Sequence, residues 1–313
     1  ETTEPLVNYQ KAISRYEEAL QVINADNHPG QYATIQNNIG YAHLQLAKIK
    51  DSSTNYRKSI DYYQKALQIY TLEDFPFDYA RIANDLGDLC HQLYEIQPEI
   101  ELINQAIDYY RCALQVYTYE LFPNQYAIIN QNLGIIYGTL SEWENQAQNT
   151  QNSIAAFKES LKVYSKNKTR EYAVINNYLG DIYLKSAEIG NQVENCRLAI
   201  ESFQTVLQMM VTQQLPLDYA EVRQKLGNDY LNLITNETAP ELIVEYCNQA
   251  IQCLTEAGEL QPIESHPAQF ASGCYQLGMA YQRLAGVEDM LPNYYKAIEA
   301  YEKALLVYTV TGS

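Results

Sequence analysis

The side chains that could do chemistry in this sequence are few, and their spacing argues against most reactions. Among 313 residues there are four histidines, His28, His43, His91 and His266, and six cysteines. His28 and His266 stand directly before prolines, in turn-forming segments. Cys90 and His91 are chain neighbours, so on a helix they diverge by about 100° and do not converge on one metal. Cys247 and Cys253 fall on different helix sides, with no histidine near them in sequence. Acidic pairs such as Glu17-Glu18 sit on polar helix faces, where they serve solvation. With no nucleophile–base pair and no phosphate-cradling glycine loop, the sequence predicts no enzyme, no metal and no cofactor. A different chemistry recurs instead. Asn37, Asn84, Gln131, Asn177 and Gln224, with Tyr275 in sixth place, hold one position of a repeating motif. A side-chain amide offers a donor and an acceptor without charge, so it can pair with peptide groups whatever side chains they carry.

The elements that must position these amides are helices. Each of the six residues is followed three positions later by a glycine: Gly40, Gly87, Gly134, Gly180, Gly227 and Gly278, spaced by 47, 47, 46, 47 and 51 residues. A constant period of this size means a repeat architecture. In YAIINQNLGIIYGTL (126–140) the residues Tyr126, Ile129, Leu133, Tyr137 and Leu140 form an apolar stripe at helical spacing. Glycine inside a helix costs about 1 kcal/mol relative to alanine. Six such glycines therefore predict close contact with a neighbouring helix. Asn130 and Asn176 lie toward the core side, where the register predicts hydrogen bonds between helices. A second motif keeps the same beat, from AISRYEEAL (12–20) and SIDYYQKAL (59–67) to AIEAYEKAL (297–305). Pro29, Pro76, Pro123, Pro216 and Pro267 mark the starts of first helices, where a missing N–H costs no hydrogen bond. The fourth repeat has Lys166-Asn167-Lys168-Thr169-Arg170 instead, and AGELQPIESHP (257–267) predicts the least regular junction.

Leu-Gly-x-x-Tyr (133–137, 179–183, 226–230) followed by Ala-x3-Tyr-x2-Ala (106–113, 297–304) resembles the tetratricopeptide repeat, over essentially the whole chain. Its period of 47 is longer than the 34 residues usual for that family. The long form, with its Phe122–Gly134 junction, looks like arrays in large bacterial, often cyanobacterial, multidomain proteins. There the array accompanies caspase-like or nucleotide-binding effector domains. The resemblance implies an all-α, right-handed superhelical solenoid of antiparallel helix pairs, about 13 helices in all. It reads as a single solenoid over 1–313, with an unpaired leading second-type helix (1–26). Repeats follow at 29–72, 76–119, 123–166, 169–212, 216–257 and 267–310.

The resemblance also implies that first helices line a concave groove holding a peptide or protein segment. On that face stand the amide column and its neighbours. Ile128, Ile135 and Val174 form an apolar centre, and Arg81, Asp88, Asp181 and Lys185 flank it. An exposed apolar cluster rimmed by charge marks interaction surfaces. The sequence opens on an unpaired helix motif and stops without a polar capping helix. It thus reads as a segment of a longer protein, or one whose ends self-associate. The expected function is a non-catalytic interaction module; the alternatives are a self-assembling spacer and a ligand-sensing regulatory domain. A net charge of −17 excludes nucleic acid and anionic membrane as partners. No apolar run is long enough to span a bilayer. The scattered cysteines fit a reducing, cytoplasmic setting.

Overall fold

A computed structural model describes residues 3–165, 170–213, 219–235 and 238–311. Among these the chain is all α, with thirteen helices. They are α1 (Thr3–Leu20), α2 (Pro29–Ala47), α3 (Ser52–Leu67), α4 (Pro76–Ile96), α5 (Ile100–Leu114), α6 (Pro123–Leu140) and α7 (Gln146–Tyr164), then α8 (Arg170–Ile189), α9 (Gln192–Gln213), α10 (Tyr219–Asn232), α11 (Pro240–Leu260), α12 (Pro267–Ala285) and α13 (Met290–Thr311). They form two compact units, Glu1–Val163 and Tyr164–Ser313, and within each unit consecutive helices pack on one another. Pro216, Lys166, Asn167, Lys168 and Thr169 lie outside the described residues.

The predicted prolines open α2, α4, α6 and α12. The residue before each of them (His28, Phe75, Phe122, His266) has nearly the same backbone, with φ from −134° to −145°. Its carbonyl accepts the first helical N–H, from Tyr32, Tyr79, Tyr126 and Phe270, at 2.9 Å in every case. No side-chain cap is needed there, because proline has removed one of the orphan donors.

The repeated glycines have a specific neighbour. In five repeats an aromatic ring from the second helix packs against the glycine: Tyr63 on Gly40, Tyr110 on Gly87, Phe157 on Gly134, Phe203 on Gly180 and Tyr301 on Gly278. A Cβ on Gly134 would come within 2.6 Å of the Phe157 ring. In the fifth repeat Ala250 holds the aromatic position, and Leu254 fills the space over Gly227. The pairs are antiparallel, as the bonds between α6 and α7 show. Ser153 Oγ donates to the Gly134 carbonyl at 2.6 Å, and Ser160 Oγ to the Ala127 carbonyl at 2.8 Å. One helix advances seven residues while the other retreats seven. Ser59 makes the equivalent bond to Gly40, at 2.8 Å.

Turns between paired helices use a device that sequence reading did not anticipate. Asp51, Asn145, Asn191 and Asp289 adopt positive φ, between 42° and 51°, directly before α3, α7, α9 and α13. Among side chains, Asn and Asp tolerate this left-handed conformation best. Four residues later stands an asparagine, Asn55, Asn149, Asn195 or Asn293. Its Nδ2 donates to the carbonyl just before the left-handed residue, at 2.8 to 2.9 Å. The irregular fifth junction is absorbed by α11, which continues to Leu260, and Gln261 is buried at its end.

Asn130 and Asn176 are buried, but not as bonds between helices. Their amides donate to Tyr126 and Tyr172 of their own helices, both at 2.8 Å. An asparagine at this core-side position satisfies itself by bonding the carbonyl one turn back.

Candidate functional site

The first helices of each unit touch side by side, which sets what their common face contains. In the first unit, Arg81 on α4 donates to Asn37 Oδ1 on α2 at 3.2 Å, and Asn132 on α6 donates to Asp88 on α4 at 3.1 Å. In the second, Lys225 on α10 pairs with Asp181 on α8 at 2.9 Å, and Gln224 on α10 donates to Gln276 on α12 at 3.4 Å.

The amide column takes partly open positions on these helices. Asn37, Asn84 and Gln131 in the first unit, and Asn177 and Gln224 in the second, are half-buried. Tyr275 is exposed and leans against Tyr301, with ring centroids 5.7 Å apart. Two of the amides have an unmet need: Asn84 Oδ1 and Asn177 Oδ1 are shielded from solvent and accept no hydrogen bond within the chain. A buried acceptor without a donor costs about 1–3 kcal/mol.

The predicted apolar centre divides between the units. Ile128 and Ile135 belong to α6, where Ile128 is 48% exposed and Ile135 half-buried. Ile128 lines a pocket of about 110 Å³ with Arg81, Asn84, Tyr117, Gln125 and Ile129. Val174 lies half-buried on α8 in the second unit. Tyr117 and Gln125 escaped the sequence reading because they come from the connection after α5 and the first turn of α6, outside the motif register.

The flanking charges are not all equivalent. Arg81 is exposed and reaches Asp78 at 3.7 Å and Asp85 at 3.4 Å. Burial pushes the Asp85 carboxyl up to about 6, with Arg81 opposing the rise. Asp88 is held inside the stack, accepting from the Tyr110 hydroxyl at 2.5 Å and from Asn132. Burial raises its carboxyl above the ordinary range, against these hydrogen bonds. Asp181 is likewise raised by burial and opposed by Lys225, which also pairs with Glu221 at 2.9 Å. Lys185 is half-buried on α8. Asp88 and Asp181 thus tie neighbouring first helices together, as Arg81 does through Asn37, and Arg81 is the exposed charge beside Ile128.

One buried acid was missed. Asp229, two residues after Gly227, is fully enclosed (0% exposed), and neither carboxylate oxygen has a partner. The same register holds Ala42, Leu89, Ile136, Ile182 and Ala280 in the other repeats, all buried. Aligning that column would have shown the acid as the exception. Burial, with Asp181 adding to it and Lys225 opposing, pushes Asp229 up to about 8. Among the described residues no group of three or more His, Cys, Asp or Glu is placed to hold a metal ion. No described helix is long and apolar enough to cross a membrane.

No protein-family model matches this sequence, and no curated protein matches it significantly. Solved structures match it at low identity. The C-terminal part of a TPR repeat-containing protein from Cytophaga hutchinsonii is 13% identical, with a TM-score of 0.49, over 96% of each chain. BtubC from P. vanneervenii is 15% identical, with a TM-score of 0.48, over 83% of this chain and 91% of that one. The TPR2AB domain of yeast Sti1, solved in complex with pHSP90, is 14% identical, with a TM-score of 0.27, over 88% and 99%. These likenesses are too loose to carry an argument, so the assignment rests on the chain's own helix pairs, period and glycine–ring contacts. By those features the chain is an all-α helical repeat of antiparallel helix pairs.

Proposed function

We propose that this chain is a non-catalytic protein-interaction module that holds an extended peptide or protein segment on its first-helix face. The observation that supports it most is the cluster on α4 and α6. Exposed Ile128 borders a pocket with room for one apolar side chain, Arg81 stands beside it, and Asn84 presents an acceptor with no donor. A bound backbone N–H would satisfy such an acceptor once the amide turns outward to meet it, and the apolar pocket would select the residue next to it. A peptide selected from an array of unrelated segments tests this. Replacing Asn84 and Gln131 by alanine should weaken its binding about tenfold, with little change in melting temperature. At about 0.5–1.5 kcal/mol per net hydrogen bond, loss of both amides accounts for that factor. Unaltered affinity would sink the groove reading.

A second reading, self-association through α13, has its own support. Leu291, Tyr295 and Ile298 are exposed on that helix, whereas the register equivalents of Ile298, namely Ile60, Ile107 and Ile200, are buried. Light scattering should then show mass rising with concentration, and Ile298→Lys should return the chain to monomer. A concentration-independent mass removes this reading.

A further inference from the structure

The turns that lead from second to first helices in the first unit carry apolar side chains at positions where the chain elsewhere places polar or small ones. Residue Phe77, just after Pro76, is 62% exposed; the same place holds Gly30, Asn124 and Ala268 in the other described repeats. Leu121, two residues before Pro123, is 71% exposed, where Asn27, Asp74 and Ser265 stand otherwise. The two are brought together across adjacent turns. The Phe77 ring meets Phe122, the residue after Leu121, at 5.7 Å between centroids and 71° between planes. Phe122 rests in turn on Tyr117 at 5.3 Å. Core packing accounts for Phe122, which is half-buried, but not for Phe77 or Leu121.

Beside this ridge lies an open pocket of about 490 Å³ lined by Tyr119, Glu120, Tyr126, Glu159 and Lys162, with Leu114 and Thr118 behind them; Lys162 is held by Glu159, which leaves Glu120 as the carboxylate without a lysine on it. Two of its walls are aromatic: the rings of Tyr119 and Tyr126 stand 6.0 Å apart at 71°. Glu159 is engaged by the Tyr126 hydroxyl and by Lys162. The exposed carboxylate of Glu120 lies near enough to act on the Tyr126 hydroxyl, which burial foremost, then Glu159 and Glu120, pushes up to about 12. Rings at a steep angle with a carboxylate at the rim form a seat for an organic cation. Charge along the edge points the same way. Segments 71–78 and 118–125 contain Glu73, Asp74, Asp78 and Glu120, and no lysine or arginine.

We propose that this edge is a second docking surface, distinct from the first-helix face, for a partner segment that pairs an apolar residue with lysine or arginine. The apolar residue covers Phe77 and Leu121, and the cation enters the pocket between Tyr119, Tyr126 and Glu120. A second copy of this chain is a poor occupant, because it would bring the same acidic edge on a molecule of net charge −17.

The probe is a short synthetic peptide alternating lysine with leucine, titrated calorimetrically into the full chain. Two controls replace all its lysines by glutamate or all its leucines by serine. The Phe77→Asn and Leu121→Asn double variant borrows the residues the chain itself uses at Asn124 and Asn27, both exposed, so folding is preserved. It should weaken the lysine–leucine peptide at least tenfold, the Glu120→Gln variant should weaken it about threefold, and both control peptides should fail to bind. An Asn84→Ala, Gln131→Ala variant, which alters the first-helix face, should bind as the parent does. The proposal is overturned if the parent chain does not bind the peptide, or if the double variant binds it unchanged. It is equally overturned if the glutamate peptide binds as well, if the first-helix variant loses as much, or if the edge substitutions instead lower an oligomer's mass in sedimentation.

Discussion

Replacing Asp229 by leucine should stabilise the chain by roughly 2–4 kcal/mol at pH 7, a gain where most core substitutions lose. The reason is its place. Asp229 is fully enclosed with neither oxygen partnered, and its carboxyl is raised to about 8. Each pKa unit is worth about 1.4 kcal/mol, so keeping the proton at neutral pH costs on the order of 4 kcal/mol relative to the unfolded chain. The folded value lies above the unfolded one, near 4, so the unfolded chain releases its proton first as pH rises. The contribution of Asp229 to stability is therefore most favourable below about pH 4, falls between about pH 4 and 8, and levels off above. The groups facing Asp229 are Asp181, Lys225 and Cys196, whose own thiol burial pushes up to about 11. Asp181 is shifted in the same direction, so the diagnostic quantity is the difference between parent and variant. Urea midpoints measured across that range should diverge steadily with pH for leucine. They should diverge nearly as much for Asp229→Asn, which removes the charge but keeps the shape. Parallel curves for parent and variants would show that Asp229 ionises as freely folded as unfolded.

Gly134→Ala should destabilise the first unit by about 1–3 kcal/mol, although alanine is the better helix former by about 1 kcal/mol. The added methyl would press into the Phe157 ring at 2.6 Å. That ring is itself nearly fully buried and has no room to retreat. The sign of the effect should reverse when the ring is gone. Phe157→Ala alone should cost about 3–5 kcal/mol. In that background Gly134→Ala should stabilise by about 1 kcal/mol, since only helix propensity then remains. A double-mutant cycle read by chemical denaturation checks this. If Gly134→Ala costs the same with and without the ring, the glycine is not conserving space for it.

The residues show why some of this was legible and some was not. Glycine, proline and stripe repeat at one period, so each repeat vouches for the others, and α2, α4, α6 and α12 begin at their prolines. The face bearing Ile128, Gln131 and Ile135 also follows from one helix considered alone. Contacts between first helices do not. Asn132 reaches Asp88 and Lys225 reaches Asp181 across 44 residues, an offset from the glycine period that depends on how the helices slide past one another. Reading one helix at a time placed both acids on the first-helix face but not the partners they find on the neighbouring helix. The turn asparagines lay in segments that look variable, and only φ shows what Asp51, Asn145, Asn191 and Asp289 share.

Those four turns also bear on how the chain reaches its structure. Every bond that closes them lies within a handful of residues: the left-handed Asp or Asn, the carbonyl before it, and the asparagine one helical turn later. Nothing in them waits for a neighbouring repeat. Loops this short close in about 10–100 ns, far faster than distant pieces of chain find each other. Each turn is therefore a local seed, and the glycine–ring contact beyond it is the first tertiary pairing such a seed brings together. A chain with four such seeds can begin at several places at once and grow outward, so loss of any one turn leaves others from which assembly starts.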